Sequence, residues 1–199
     1  MEETDRYKTI KNSSEGLYKE KGSKFIARAF HVTDEEEAKR YITQMKKEYH
    51  DARHHCYAYR LNPEEPFANS SDDGEPSGTA GKPILNQILS GELYDVLVVV
   101  IRYFGGTKLG VSGLIKAFKA AANVALSAAE VDYLTITRSL QLDFDYLLMN
   151  DVMRIIKEEK LRVIHQDFSL DCHMELEVER GRKDKLLQRF SHIFGLTVS

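Results

Sequence analysis

The chain has no tryptophan, two cysteines, four prolines and no long apolar run. Each shortage excludes something. Cys56 and Cys172 are far apart and form no CxxC pair, and a secreted disulfide scaffold of this size carries more cysteine. So little proline, with 12 glycines, rules out collagen-like or linker-type sequence. The most apolar stretch, Val96 to Ile101, is far too short to span a bilayer. The start, MEETDRYKTIKNSSEG, is polar and acidic and lacks the apolar core of a secretory leader. A cytoplasmic protein with no membrane association is therefore expected. The formal net charge is only -3, so the totals announce no strongly basic nucleic-acid binder and the distribution of charge has to decide.

What remains is an ordinary globular balance, 42% hydrophobic and 30% charged over 199 residues. A chain of this length buries roughly 70% of its unfolded surface, as one medium domain or two small ones.

Strands are expected at Leu17–Glu20 and Lys24–Val32, joined by a turn at Lys21-Gly22-Ser23. Asp34 reads as a helix N-cap, with Glu35, Glu36 and Glu37 in the favoured first turn. Helical spacing of Ala38, Tyr41, Ile42, Met45 and Tyr49 carries that helix to Tyr49. A strand at His54–Leu61 precedes a loop from Asn62 to Gly81, rich in every turn-forming residue. A short helix follows at Pro83–Leu89. The run VLVVVI within Asp95–Phe104 predicts a strand central in its sheet. Gly105–Gly113 is a glycine-rich connection into a helix over Val111–Glu130, whose alanines suggest close approach to the sheet. The remainder reads as strand 134–144, helix 146–160, strand 162–168, a turn at Ser169-Leu170-Asp171, strand 172–179, helix 182–194 and a closing strand 196–198. That order, β-α-β-β-α-β, is the ferredoxin-like pattern. The expected fold class is α+β in two domains, 1–133 and 134–199.

Three constellations carry chemistry. In RYFGGTKLGVSG, Gly105, Gly106, Gly110 and Gly113 stand between a buried strand and a helix. Glycines let a ligand approach the main chain, and the helix start offers free N–H groups to an anion. Arg102, Lys108, Ser112, Lys116 and Lys119 add donors, and no acidic residue occurs from Val96 to Ala129. The motif is neither a P-loop nor GxGxxG; tight helix–sheet packing is the alternative reading. In HHCYAYR, Tyr57 and Tyr59 share a strand face that, with Arg60, suits base stacking and phosphate contact; simple strand packing is the alternative. Lys24 and Arg28, on the same face of one strand, extend the basic surface. In SDDGEPSGTAGKP, Asp72, Asp73 and Glu75 could form an acid–base site with His54 or His55, and Ser77 or Thr79 could act as nucleophile. The spacing matches no EF-hand, HExxH or GxSxG, and solvated turn chemistry is the alternative. No cofactor and no metal is implied.

Gly81 with Ile84-Leu85, Ile88, Leu93 and Val99-Val100, then RYFGG and Leu109-Gly110, resembles the signature of the IMPACT/YigZ family. KGSKFIA at Lys21–Ala27, HHCYAYR and SDDGEPSGTAG resemble it as well, from about residue 15 to the end of the chain. The resemblance implies a first domain like domain IV of elongation factor G and a second, ferredoxin-like domain like domain V of that factor. It further implies nucleic-acid or ribosome interaction. Eukaryotic relatives restrain a translation-initiation kinase through an extra N-terminal domain, which this shorter, bacterial-looking architecture is expected to lack. The resulting expectation is a non-enzymatic RNA- or ribosome-binding protein that modulates translation. The rival is a hydrolase or phosphate-handling enzyme sited between the acidic loop and His54/His55. A third reading is a protein adaptor using the solvated face that carries His173, Glu175 and Glu177.

Overall fold

In a computed structural model, which describes residues 5–168 and 171–199, the chain is a mixed α/β protein. It divides into two compact units. The first is Tyr7–Leu134; the second is Thr135–Ser199 with residues 5–6. Among the described residues no helix is long and apolar enough to cross a membrane.

The strands of the first unit's main sheet are β2 (Ser14–Glu20), β3 (Ser23–His31), β4 (His54–Leu61), β5 (Phe67–Ser71) and β6 (Val96–Tyr103). They lie in the order β2-β3-β6-β4-β5, with every pairing antiparallel. β6 is central, as its continuous apolar run predicts, because helices cover both of its faces. One face packs on helix α1 (Glu35–Glu48): Ile26, Phe30, Tyr59, Leu61, Leu97, Val99 and Ile101 cluster with Ala38, Ile42 and Met45. The other face packs on α2 (Gly81–Ser90) and α3 (Gly110–Ala128) through Phe25, Ala27, Ala29, Cys56, Ala58, Val98 and Val100. Phe25 and Phe118 meet edge to face at 5.1 Å. A fully buried side chain of that kind contributes about 1.5–3 kcal/mol.

Local chemistry sets the boundaries. Asp34 Oδ1 accepts the Glu37 N–H at 2.7 Å, and Glu37 Oε2 accepts the Thr33 N–H at 2.9 Å, a reciprocal pair that fixes the start of α1. Lys21 (φ 44°) and Gly22 (φ 81°) make the two-residue, left-handed turn between β2 and β3. The alanines of α3 do approach closely: a Cβ on Gly16 of β2 would lie 2.5 Å from the Ala125 nitrogen.

Some elements differ from expectation. The loop expected over 62–81 contains β5, an edge strand whose exposed FANSS sequence shows no apolar alternation. Residues Arg6–Ile10 form β1, which pairs with β7 (Val131–Thr135) as a two-stranded ribbon. The single strand expected over 134–144 is divided at Ile136, whose N–H is bonded to the Asp5 carbonyl.

The second unit contains β8 (Thr137–Phe144), α4 (Met149–Glu159), β9 (Arg162–Phe168), β10 (Cys172–Glu179), α5 (Lys183–Ser191) and β11 (Thr197–Val198). The sheet order is β11-β8-β10-β9. Leu140, Leu142, Met174, Leu176 and Val178 alternate onto the helix-covered face with Val152, Ile156, Leu186 and Phe190. Of the turn expected at Ser169-Leu170-Asp171, the first two residues lie outside the described residues.

Candidate functional site

Two loops meet at one end of the first unit's sheet, where β6 ends and β4 begins. His54 and Arg102 are cross-strand partners there, and Lys24 is paired with Tyr103.

The acidic loop is internally satisfied. Asp72 Oδ1 accepts the N–H groups of Ala80 (2.9 Å) and Gly81 (2.8 Å), and its Oδ2 accepts that of Gly78 (2.8 Å). It caps α2, whose own N-cap residue, Ala80, has no acceptor. Asp73 accepts the His55 N–H at 2.7 Å and Lys46 Nζ at 3.1 Å. Burial acts to raise the pKa of both aspartates, but these hydrogen bonds outweigh it and hold the carboxyls below their ordinary range. Glu75, itself buried, takes Arg102 Nη1 on both oxygens, at 2.6 and 2.8 Å. Arg102 is 7% exposed, with its guanidinium carbon 5.5 Å from the Phe25 ring centroid and 5.7 Å from that of Phe104.

The histidines do lie against this loop. His54 Nε2 is 3.7 Å from Glu75 Oε1, and His55 Nδ1 is 3.8 Å from Asp73 Oδ2. His55 is buried, which pushes its pKa down, and its Nε2 sits 3.1 Å from the Tyr49 carbonyl. Thr79 is buried with its hydroxyl donated to the Pro76 carbonyl, so it is not a free nucleophile; Ser77 is exposed. Among the described residues no group of three His, Cys, Asp or Glu side chains is placed to hold a metal ion.

The glycine loop is the opposite case. Gly105 is required by packing: a Cβ there would run into the Gly22 backbone. Gly106 (φ 87°) and Gly110 (φ 72°) are required by conformation, and a Cβ on either would meet nothing within 4 Å. That open space lies beside the first turn of α3. The N-cap position there is Leu109, with no side-chain hydrogen bond and no acidic residue in the turn. Lys108, Ser112, Lys116 and Lys119 are all exposed. The last three sit at i, i+4 and i+7 on one helix face. Among the described residues none of these lysines has an ion-pair partner.

The structure thus separates the expected binding residues. Gly105, Gly106, Lys108, Gly110, Ser112, Lys116 and Lys119 form one surface; exposed Lys24 is at the same sheet end but on the α1 face, with Ile26 and Phe30. Arg102 lies beneath that surface, buried and bound to Glu75, and cannot reach a phosphate as expected. Tyr59 is also corrected: it is 2% exposed under α1 and donates its hydroxyl to Glu35 at 2.6 Å. Tyr57, half-buried, stacks on Tyr59 on that same opposite face. Arg28 faces α1 and pairs with Glu15 at 3.2 Å and Glu48 at 3.7 Å. Arg60 is at the far end of β4, its guanidinium 3.6 Å above the Tyr94 ring.

Sequence reasoning missed Phe104. It is 58% exposed, beside the open glycines. The signal was available: an aromatic one residue past the end of a buried strand, followed by two glycines, has no core to enter.

A family model for the Impact N-terminal domain matches residues 21–126, which include both loops and most of α3. The chain is 33% identical over 173 residues to IMPACT family member YvyE of Bacillus subtilis, covering 87% of this chain and 80% of that protein. This chain belongs to the IMPACT family. IMPACT family member YigZ of Escherichia coli is 33% identical over 150 residues, 74% of each chain. A crystal structure described as that of a hypothetical protein matches with a TM-score of 0.78 and 27% identity, over 97% of this chain and 96% of the other. Both loops lie inside the matched domain.

Proposed function

We infer that this IMPACT family protein binds RNA, on the ribosome, through the surface built by the glycine loop and the exposed face of α3. The carrying observation is the start of α3, with no side-chain cap, beside three lysines that have no ion-pair partner among the described residues, in a stretch from Val96 to Ala129 with no acidic residue. Free N–H groups and the helix dipole favour a phosphate there, and the lysines add charge along its path. Phe104, rather than Tyr59, supplies an exposed ring on which a base can stack. In the second unit, the strand order β11-β8-β10-β9 with its two helices supports the ferredoxin-like reading. Likeness of the two units to domains IV and V of elongation factor G, and modulation of translation, remain with the family resemblance.

Ribosome co-sedimentation tests this. The intact protein is expected to pellet with ribosomes at low salt, and the Lys108→Glu/Lys116→Glu/Lys119→Glu variant is expected to stay in the supernatant. Equal pelleting of both would refute the reading.

The enzyme reading has one observation in its favour, the closeness of His54 and His55 to Glu75 and Asp73. It is weaker because Asp72, Asp73 and Glu75 are already engaged with the protein's own donors. Loss of a measurable phosphoesterase activity in a His54→Asn variant that remains folded would reverse that ranking.

A further inference from the structure

Three large apolar side chains stand almost bare at one end of the second unit's sheet. Tyr146 is 69% exposed, Leu147 87% and Phe194 98%. Tyr146 and Leu147 lie in the single 3-10 turn that follows β8. Phe194 lies in the connection between α5 and β11. Pairing of Thr197 with Asp143 runs that connection alongside the end of β8. A Cβ on Gly195 would sit 3.5 Å from Leu148 Cδ1, so the two segments touch. Gly195 has φ 89°, a left-handed residue that turns the chain between exposed Phe194 and Leu196, which packs on the core. One exposed apolar residue is ordinary, but several side by side mark an interaction surface.

The charge around this tip selects the partner. The residues that register and contact place at this end, 143–148, 171–173 and 194–197, contain no lysine or arginine. Asp143, Asp145 and Asp171 border the tip; Asp143 Oδ1 lies 2.6 Å from His173 Nδ1 and Asp145 accepts the Leu147 N–H at 2.8 Å, so Asp171 is the acid there with no such contact among the described residues. Asp145 and Asp171 converge on Cys172, at the same sheet end, where after burial they add to the rise in its thiol pKa. Such a rim repels a polyanion, whether nucleic acid or anionic lipid. It attracts a cation-bearing chain.

We propose that this tip docks a protein segment with an apolar face flanked by lysine or arginine, a basic amphipathic helix. The site is independent of the glycine-loop surface, which has the opposite charge. The probe is a synthetic amphipathic helix of leucine and lysine, titrated against the full chain by fluorescence anisotropy, with a leucine–glutamate helix as counterpart. Binding of the basic helix is expected, weakened about tenfold or more by Leu147→Ser/Phe194→Ser. A second variant, Asp143→Asn/Asp171→Asn, leaves the apolar surface intact and is expected to weaken binding several-fold and flatten its salt dependence. Lys108→Glu/Lys116→Glu/Lys119→Glu is expected to leave it unchanged. Absence of binding, equal binding of the acidic helix, or full affinity in the serine variant would overturn the proposal. So would concentration-dependent self-association lost in the serine variant, which would assign the tip to a second copy of the chain.

Discussion

The two loops at the end of the first unit's sheet are built on opposite principles. The acidic loop, from Asp72 to Ala80, is dense in reactive side chains, and the structure has used them. Asp72 caps α2, Asp73 holds the start of β4 and Lys46, and Glu75 neutralises a buried arginine. The glycine loop, from Phe104 to Gly110, has few such groups, yet leaves a helix start with no side-chain cap, open space over two left-handed glycines and lysines with no ion-pair partner among the described residues. What distinguishes a binding surface from a structural clasp is not the richness of the motif. It is whether the polar groups already have partners inside the protein.

This contrast predicts that damage to the acidic loop is read in stability and damage to the glycine loop in binding. The largest effect is expected from Glu75→Gln, which leaves the Arg102 charge buried without its counter-ion. Loss of one partner of a buried pair costs about 3–5 kcal/mol, measurable as a shift in the urea midpoint. Next, the triple lysine-to-glutamate variant is expected to lose RNA binding while its stability stays within about 0.5 kcal/mol of the parent, as for exposed substitutions. A comparable stability loss in both variants would erase the distinction between the loops. Asp72→Ala is expected to cost about 0.5–2 kcal/mol, the worth of a helix cap, with RNA affinity unchanged in the folded protein.

A smaller effect concerns pH. Burial lowers the pKa of His55 below the ordinary 6.5, so its contribution to stability is complete above that value and declines as pH falls below it. Asp72 and Asp73 are likewise depressed, and their contributions decline only once pH falls below the ordinary aspartate value of 3.8. Two stages of acid destabilisation are therefore expected in denaturant melts. His55→Gln should remove the upper stage and leave the lower.

Much of the fold was legible in the sequence. The β6 run, the Asp34 cap, the Lys21-Gly22 turn and the alternation of Cys172 to Glu179 each follow from local chemistry that the tertiary structure reinforces. Edge strand β5 was not legible, because FANSS pairs through its backbone and its side chains, mostly exposed, show no apolar alternation. The β1–β7 pairing was hidden for a different reason: it joins segments more than a hundred residues apart, with no periodicity to link them. At the candidate site, the glycines and lysines were readable from composition. The burial of Tyr59 and Arg102 was not, since strand alternation says which residues share a face but not which face a helix covers. The pairing of Arg102 with Glu75 spans 27 positions and left no trace in either motif.

The central claim is that the glycine loop and α3 grip a phosphate chain. An equilibrium titration of the intact protein with single-stranded RNA, repeated from about 50 to 200 mM salt, tests it most directly. Each phosphate contact contributes a slope of about -0.7 in log affinity against log salt. Two or three contacts from Lys108, Lys116 and Lys119 therefore predict a clearly negative slope that flattens when those lysines are replaced. An affinity indifferent to salt, or no binding at the lowest concentration, would contradict the account.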